Sequence, residues 1–375
     1  MDEFLHGKSY IDPVFNMFKV RFDWMNRNRI LRNDVDRINW YINLENVFRV
    51  LLSPRLENML MADGIDDNQI KMDLISNMVN LGQHYRLYAA KMGYESRVIL
   101  YWNYTKGHYN NRKYLVTYRK NFENRLHKNI HCERLTRCLA EAIEFIQKLF
   151  GYINQVYLID GGEIESSLIP HLVESDIYQK DGIESQIIIV SHAKYDFQYI
   201  QYGYTILSPK GDNSSLISNE NVIDHMKVRS NIKNPLTIPP EQLSFALALL
   251  GDEHRGIPST EGVGLSTVVK SIRAAIDNLA ITPTTQDIEM LSTILGSRYK
   301  SHVETNYRCT NFSYQMREVT PIQKEYITSQ FIDKYDENTL KSLNEKFFQA
   351  CPLMLVQPRS EQVRNDYRTE RSIFS

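Results

Sequence analysis

Short apolar runs alternate along this chain with stretches whose apolar residues recur at helical spacing. Residues 38–42 (INWYI) read as a short buried strand, and Asn43-Leu44-Glu45-Asn46 turns from it into a helix (VFRVLL). Over 68–92 the apolar positions Ile70, Met72, Leu74, Ile75, Met78, Val79 and Leu81 follow a helical period. Residues 96–102 (SRVILYW) are an apolar, β-branched run of the kind that fills a buried parallel strand, and Asn103 ends it. An amphipathic helix over 138–150 precedes a third strand at 155–159 (QVYLI), the turn Asp160-Gly161-Gly162 and a helix over 163–173. A fourth strand follows at 186–190 (QIIIV) and a fifth at 202–207 (YGYTIL).

Strands alternating with helices predict an α/β fold: a mainly parallel central sheet with helices on both faces. In such sheets the functional crevice lies beyond the carboxyl ends of the strands. Asn43, Asn103, the turn 160–166 and the segment 191–196 fall at those ends. Residues 1–37 are polar and aromatic without a clear period, and their arginines make a basic, solvated N-terminal arm. The sheet domain then spans 38–208, a helical region 209–350, and a polar tail 351–375. The passage 209–240 is rich in Pro, Gly, Ser and Asn, and the helical region from 241 packs on the sheet.

Within that region, 244–273 (SFALALLGDEHRGIPSTEGVGLSTVVKSIR) sets two helices around a Gly-x-Gly turn at Gly262 and Gly264. Glycines allow close backbone approach, and the N-terminus at Ser266 and Thr267 offers N–H groups and the positive end of a dipole, a device for gripping phosphate. A plain helical turn reads the same way.

Charge and composition narrow the classes. A net charge of −1 over 375 residues excludes a generally basic nucleic-acid coat. It leaves room for a local basic patch, with Arg112, Lys113, Arg119 and Lys120 as candidates and a solvated helix face as the plain alternative. No apolar run approaches a membrane span, and the first residues carry no apolar signal core, so the expectation is a cytoplasmic protein, or one packaged into a virion from a cytoplasm. The four cysteines include no Cys-x-x-Cys pair and read as reduced structural thiols. His127, His131 and Cys132 lie close together, but no fourth zinc ligand accompanies them.

The segment 244–273 resembles the helix–three-turn–helix of the flap endonuclease and 5′-nuclease (PIN-like) family, through Gly251, Asp252, Ile257, Pro258, Gly262, Gly264 and Thr267. It departs from that pattern at Arg255, where the family has a metal-binding Asp, and at Ser266, where it often has Lys. Three further segments, at 96–121, 155–173 and 187–200, resemble the family in order, with Asp196-Phe197-Gln198 in place, and the likeness is greatest for the RNase H branch of T-even phages.

The family hydrolyses phosphodiesters with two divalent cations, Mg²⁺ or Mn²⁺, held by carboxylates at the strand ends. At the matching positions this chain keeps Glu163, Asp196 and Asp252, whereas Asn43, Asn103, Ser166, Lys194 and Arg255 replace acids. The resemblance therefore implies a degenerate nuclease, phage-encoded, with no metal and a salt-bridged crevice in which Lys194 and Arg255 take the cation positions. Such a protein binds branched or duplex DNA without sequence preference, or serves as a subunit of a larger assembly. Its DNA contacts fall on Arg112, Lys113, Arg119 and Lys120 and on the hairpin of Gly262, Gly264, Ser266 and Thr267. The alternative is an active Mg²⁺-dependent 5′-nuclease using shifted ligands: Glu163, Glu165, Asp196 and Asp252, with Glu45 and Asp160 also in reach of a slipped alignment.

Overall fold

The computed structural model describes residues 9–103, 132–150, 156–175, 183–210, 213–225, 242–252, 255–264, 266–268, 270, 272 and 300–331. Six strands form one sheet in the order β3-β2-β1-β4-β5-β6. They are β1 (Arg37–Asn43), β2 (Glu95–Trp102), β3 (Val156–Asp160), β4 (Ser185–Val190), β5 (Thr205–Ser208) and β6 (Ser215–Ile217). All neighbours run parallel except β5 and β6. This is the predicted α/β architecture. Central β1 is buried at every position, as a parallel strand covered on both faces must be.

Alternation along the strands divides the interior in two. Ile38, Trp40 and Ile42 of β1, with Val98, Leu100 and Trp102 of β2, face one core. That core is closed by α1 (Asp12–Asn16), α3 (Glu45–Leu51), α4 (Pro54–Ala62), α5 (Asp67–Lys91) and α6 (Glu133–Phe150). The long α5 starts at an Asp66 cap, whose carboxylate accepts from the Gln69 N–H at 2.9 Å, and Gly93 follows its end at φ +84°.

Tyr41, Ile99, Tyr101 and Ile189 face the opposite core. There they meet α7 (Ile169–Val173), α9 (Leu243–Leu250), α10 (Lys300–Thr310), α11 (Phe312–Arg317) and α12 (Pro321–Thr328). The helical region thus packs directly on the sheet. Two further short helices among the described residues are α2 (Phe22–Arg27) and α8 (Val222–His225).

Three local expectations are corrected. The N-terminal arm is not a solvated segment from residue 9 onward. Ile11, Phe15, Phe18, Val20, Met25, Ile30 and Val35 are buried in the first core, while Arg21, Arg27, Arg29 and Arg32 stay outside. The run is apolar at irregular intervals because short helices and turns, not one regular element, carry it inward. The helix expected over 163–173 is shorter: a 3₁₀ turn, Ser166–Leu168, leads into α7 at Ile169 with Pro170 in its first turn. The fifth strand begins at Thr205 rather than Tyr202. Tyr202 ends a 3₁₀ stretch, Lys194–Tyr202, which Gly203 stops at φ +76°.

Candidate functional site

Odd-numbered positions of β1, β2 and β4 face the second core, and at the carboxyl ends those positions are polar. Register sets Asn43 opposite Tyr101 and Ile42 opposite Val190. Asn43, Tyr101, Asn103 and Ser191 therefore gather at one edge of the sheet, all nearly or fully buried.

Asp196, in the 3₁₀ stretch after β4, closes this group with no exposed surface. Its Oδ2 accepts hydrogen bonds from Asn43 Nδ2 at 2.8 Å, from the Tyr101 hydroxyl at 3.1 Å and from the Ser191 hydroxyl. Burial is the largest influence on this carboxyl and pushes its pKa up. The hydroxyls of Ser191 and Ser167, the Asn43 amide and the charge of Arg255 oppose that shift. Burial and the charge of Asp196 likewise push the Tyr101 phenol well above its ordinary range.

Asn103 does different work. Its Nδ2 donates to Gly162 O at 3.1 Å and Ile164 O at 2.7 Å, and its Oδ1 accepts from the Ser166 N–H. The amide thereby holds the turn after β3. Gly161 is required beside it, since a Cβ there would lie 2.8 Å from Asn103 Nδ2.

A second cluster forms around Arg255. After α9 the chain reverses through Gly251 (φ +68°) into a tight hairpin, with Asp252 N donating to Ile257 O at 2.8 Å and Ile257 N returning to Asp252 O at 2.9 Å. A Cβ at Gly251 would stand 2.5 Å from Ser259 N, so only glycine fits. The hairpin turns Arg255 inward, to 4% exposure. Its guanidinium reaches Asp252 Oδ2 at 2.9 Å, Glu165 Oε1 at 3.4 Å and Glu45 Oε2 at 3.9 Å. It also donates to Ser167 Oγ at 3.3 Å and lies 4.3 Å from the centre of the Tyr195 ring. Burial, and next the charge of Glu165, push the Tyr195 phenol well above its usual value, and the same two causes push the Cys309 thiol up to about 12.

The remaining candidates lie elsewhere. Glu163 is exposed and accepts from Gln323 of α12 at 3.1 Å, outside the Arg255 cluster. Asp160 accepts from the Tyr326 hydroxyl at 3.2 Å. Lys194 is exposed and makes no ion pair among the described residues, so of the two expected cations only Arg255 enters the crevice. Gly262 and Gly264 are exposed around a turn, with Gly262 at φ +71°, and Ser266 and Thr267 are exposed at helical positions. Arg112, Lys113, Arg119 and Lys120, like His127 and His131, lie outside the described residues.

Tyr101, Ser191 and Tyr195 were not singled out from sequence. The usable signal was period two: Tyr101 and Ser191 share strand parity with Asn43 and Asn103.

Does this donor set fit a divalent ion? Among the described residues no group of three His, Cys, Asp or Glu side chains is arranged to hold one. The decisive feature is positive: the carboxylates Glu45, Glu165 and Asp252 converge on a guanidinium, while Asp196 takes neutral donors on Oδ2 and is drawn toward its protonated form. As it stands the set does not fit.

No family model matches the sequence, and no curated protein matches it. The fold does match solved structures. A pseudo-enzyme–product complex of the bacteriophage T5 flap endonuclease with DNA and metal ions superposes at a TM-score of 0.52. That match has 12% identity and covers 82% of this chain and 99% of that one. The bacteriophage T5 5′-exonuclease with bound zinc gives 0.50 at 11% identity, covering 82% and 99%. The likeness establishes a flap-endonuclease fold for this chain.

Proposed function

We propose that this chain is a 5′-nuclease-fold protein that has lost hydrolysis and binds DNA through the phosphate backbone, in a lineage near the phage-encoded RNase H of T-even phages. The observation that carries this is Arg255, buried among Glu45, Glu165 and Asp252. Two-metal hydrolysis depends on fixed negative charge that draws two cations to the scissile phosphate. A guanidinium among the carboxylates competes for both the space and the charge. At an effective dielectric constant near 20, one pair at about 4 Å contributes roughly 4 kcal/mol before desolvation. Asn43 and Asn103 add to the case, because each amide is committed to protein partners at the strand ends.

DNA binding rests on three supports. The T5 structure of the same fold was solved with DNA. Gly262 and Gly264 of the turn and the helical residues Ser266 and Thr267 are exposed and can bring N–H groups to phosphate. The basic segment with Arg112, Lys113, Arg119 and Lys120 supplies charge. Contacts of this kind give affinity that fades with salt and carries no sequence information. Mg²⁺ or Mn²⁺ is not required for it. No helix among the described residues is long and apolar enough to cross a membrane.

A second reading, an active metal-dependent 5′-nuclease, draws on the carboxylates that do converge near the strand ends, Glu45, Glu165, Asp196 and Asp252. Incubation of the protein with an end-labelled 5′ flap in Mg²⁺ or Mn²⁺ separates the two. The expected result is binding that weakens with salt and no cleavage. Cleavage that disappears in a Glu165→Ala, Asp196→Ala variant would establish the second reading.

A further inference from the structure

Glu45 follows β1, Glu165 follows β3, and Asp252 sits in the hairpin after α9, so these carboxylates come from three distant parts of the chain. One guanidinium touches all of them, at 2.9, 3.4 and 3.9 Å, and binds Ser167 as well. The same group lies over the Tyr195 ring, and Arg255 is 4% exposed. Arginine suits this place because its planar fork serves several acceptors at once and its charge persists when buried.

We propose that Arg255 is a built-in counter-ion: its tethered guanidinium offsets one of the three charges of Glu45, Glu165 and Asp252 and ties their three chain segments together, so that the crevice is stable without a bound metal. The inference rests on the reading that the crevice holds no catalytic metal, and it goes further by assigning the cation's task to one side chain. Deleting that charge leaves the buried Glu165 and the partly buried Glu45 and Asp252 with one cation fewer. Their cheapest substitute partner is then a hard divalent ion, which takes oxygen ligands at short range. The variant should therefore acquire a dependence on metal that the parent lacks.

The experiment is thermal unfolding of the full chain, as parent, Arg255→Ala and Arg255→Lys, each in chelator and in millimolar Mn²⁺. The parent should shift by less than about 1 °C on adding Mn²⁺, since a ligand stabilises only where it binds the native state. The alanine variant should lose roughly 5 °C in chelator, as expected for breaking a buried charge cluster in a chain of this size, and Mn²⁺ should restore at least half of that loss. Arg255→Lys keeps the charge without the fork and should lose less than the alanine variant, with little response to Mn²⁺. If the alanine variant does not fold in chelator, its refolding in Mn²⁺ becomes the readout. Recovery there supports the proposal, and no recovery while Arg255→Lys folds overturns it. An alanine variant within about 2 °C of the parent, or a parent stabilised by Mn²⁺ as much as the variant, also overturns it. These outcomes are read without any nuclease assay. A parent that cleaves flaps defeats the functional reading, whereas a variant indifferent to Mn²⁺ defeats only the counter-ion.

Discussion

Asp196 and Glu165 are both buried carboxylates at the carboxyl edge of one sheet, with 0% and 3% exposure. The protein treats them differently. Asp196 is surrounded by neutral donors, Asn43, Tyr101 and Ser191, with Arg255 only the last of the influences on it, and its pKa rises. Glu165 shares a guanidinium with Asp252 and Glu45. Hydrogen bonds from neutral groups satisfy the geometry of a carboxylate without cancelling its charge, so burial still favours the protonated form. A buried cation cancels the charge, but only while both partners stay in place, and losing either one is costly. One cluster therefore yields gradually to pH, and the other fails abruptly on mutation.

The comparison can be pressed at the amides first. Asn103→Asp returns an acid to the strand end, but the position needs a donor to Gly162 O and Ile164 O. A carboxylate there would turn an acceptor oxygen toward two carbonyl oxygens. The expected cost is about 3 kcal/mol at neutral pH by urea denaturation, shrinking in acid as the new carboxyl takes up a proton. A variant within about 1 kcal/mol of the parent would mean that Arg255 or another cation reaches position 103 and that the two clusters are one.

A smaller effect is expected at Asp196. Its folded pKa lies above the unfolded value of about 3.9, so between the two the native state holds a proton that the unfolded chain has released. Stability should fall as pH rises through that window. Asp196→Asn keeps an oxygen to accept the three hydrogen bonds and removes the titration. Its stability should be flatter across the window and higher than the parent's above it. A parent whose stability instead rises with pH there, with the slope lost in the variant, would show that Asp196 is held charged.

The smallest effect belongs to Lys194. Being exposed and without an ion pair among the described residues, it should tolerate Lys194→Ala within about 0.5 kcal/mol. A larger loss would make it a second cation of the Arg255 cluster, as the sequence suggested.

Much of the fold could be read without coordinates, because burial leaves a periodic trace. The largely apolar runs of β1, β2, β3 and β4 announce parallel strands covered on both faces, and α5 shows its helical spacing plainly. The N-terminal segment hid its core residues because short helices and turns impose no sustained period. At the site, the sequence named Arg255, Asp252, Asp196, Asn43 and Asn103 through motif and position.

Only the tertiary structure decided which acids those residues meet. Glu163 and Glu165 are two positions apart, yet one is exposed against α12 and the other is buried against Arg255. Lys194 and Asp196 divide in the same way, one outside and one within. The sequence determines that a strand ends and a turn begins, since local sterics and hydrophobic burial act within a few residues. Which side chain of the turn points inward depends on the 3₁₀ geometry, on the Asn103 amide and on a hairpin some ninety residues away, none of which leaves a local period.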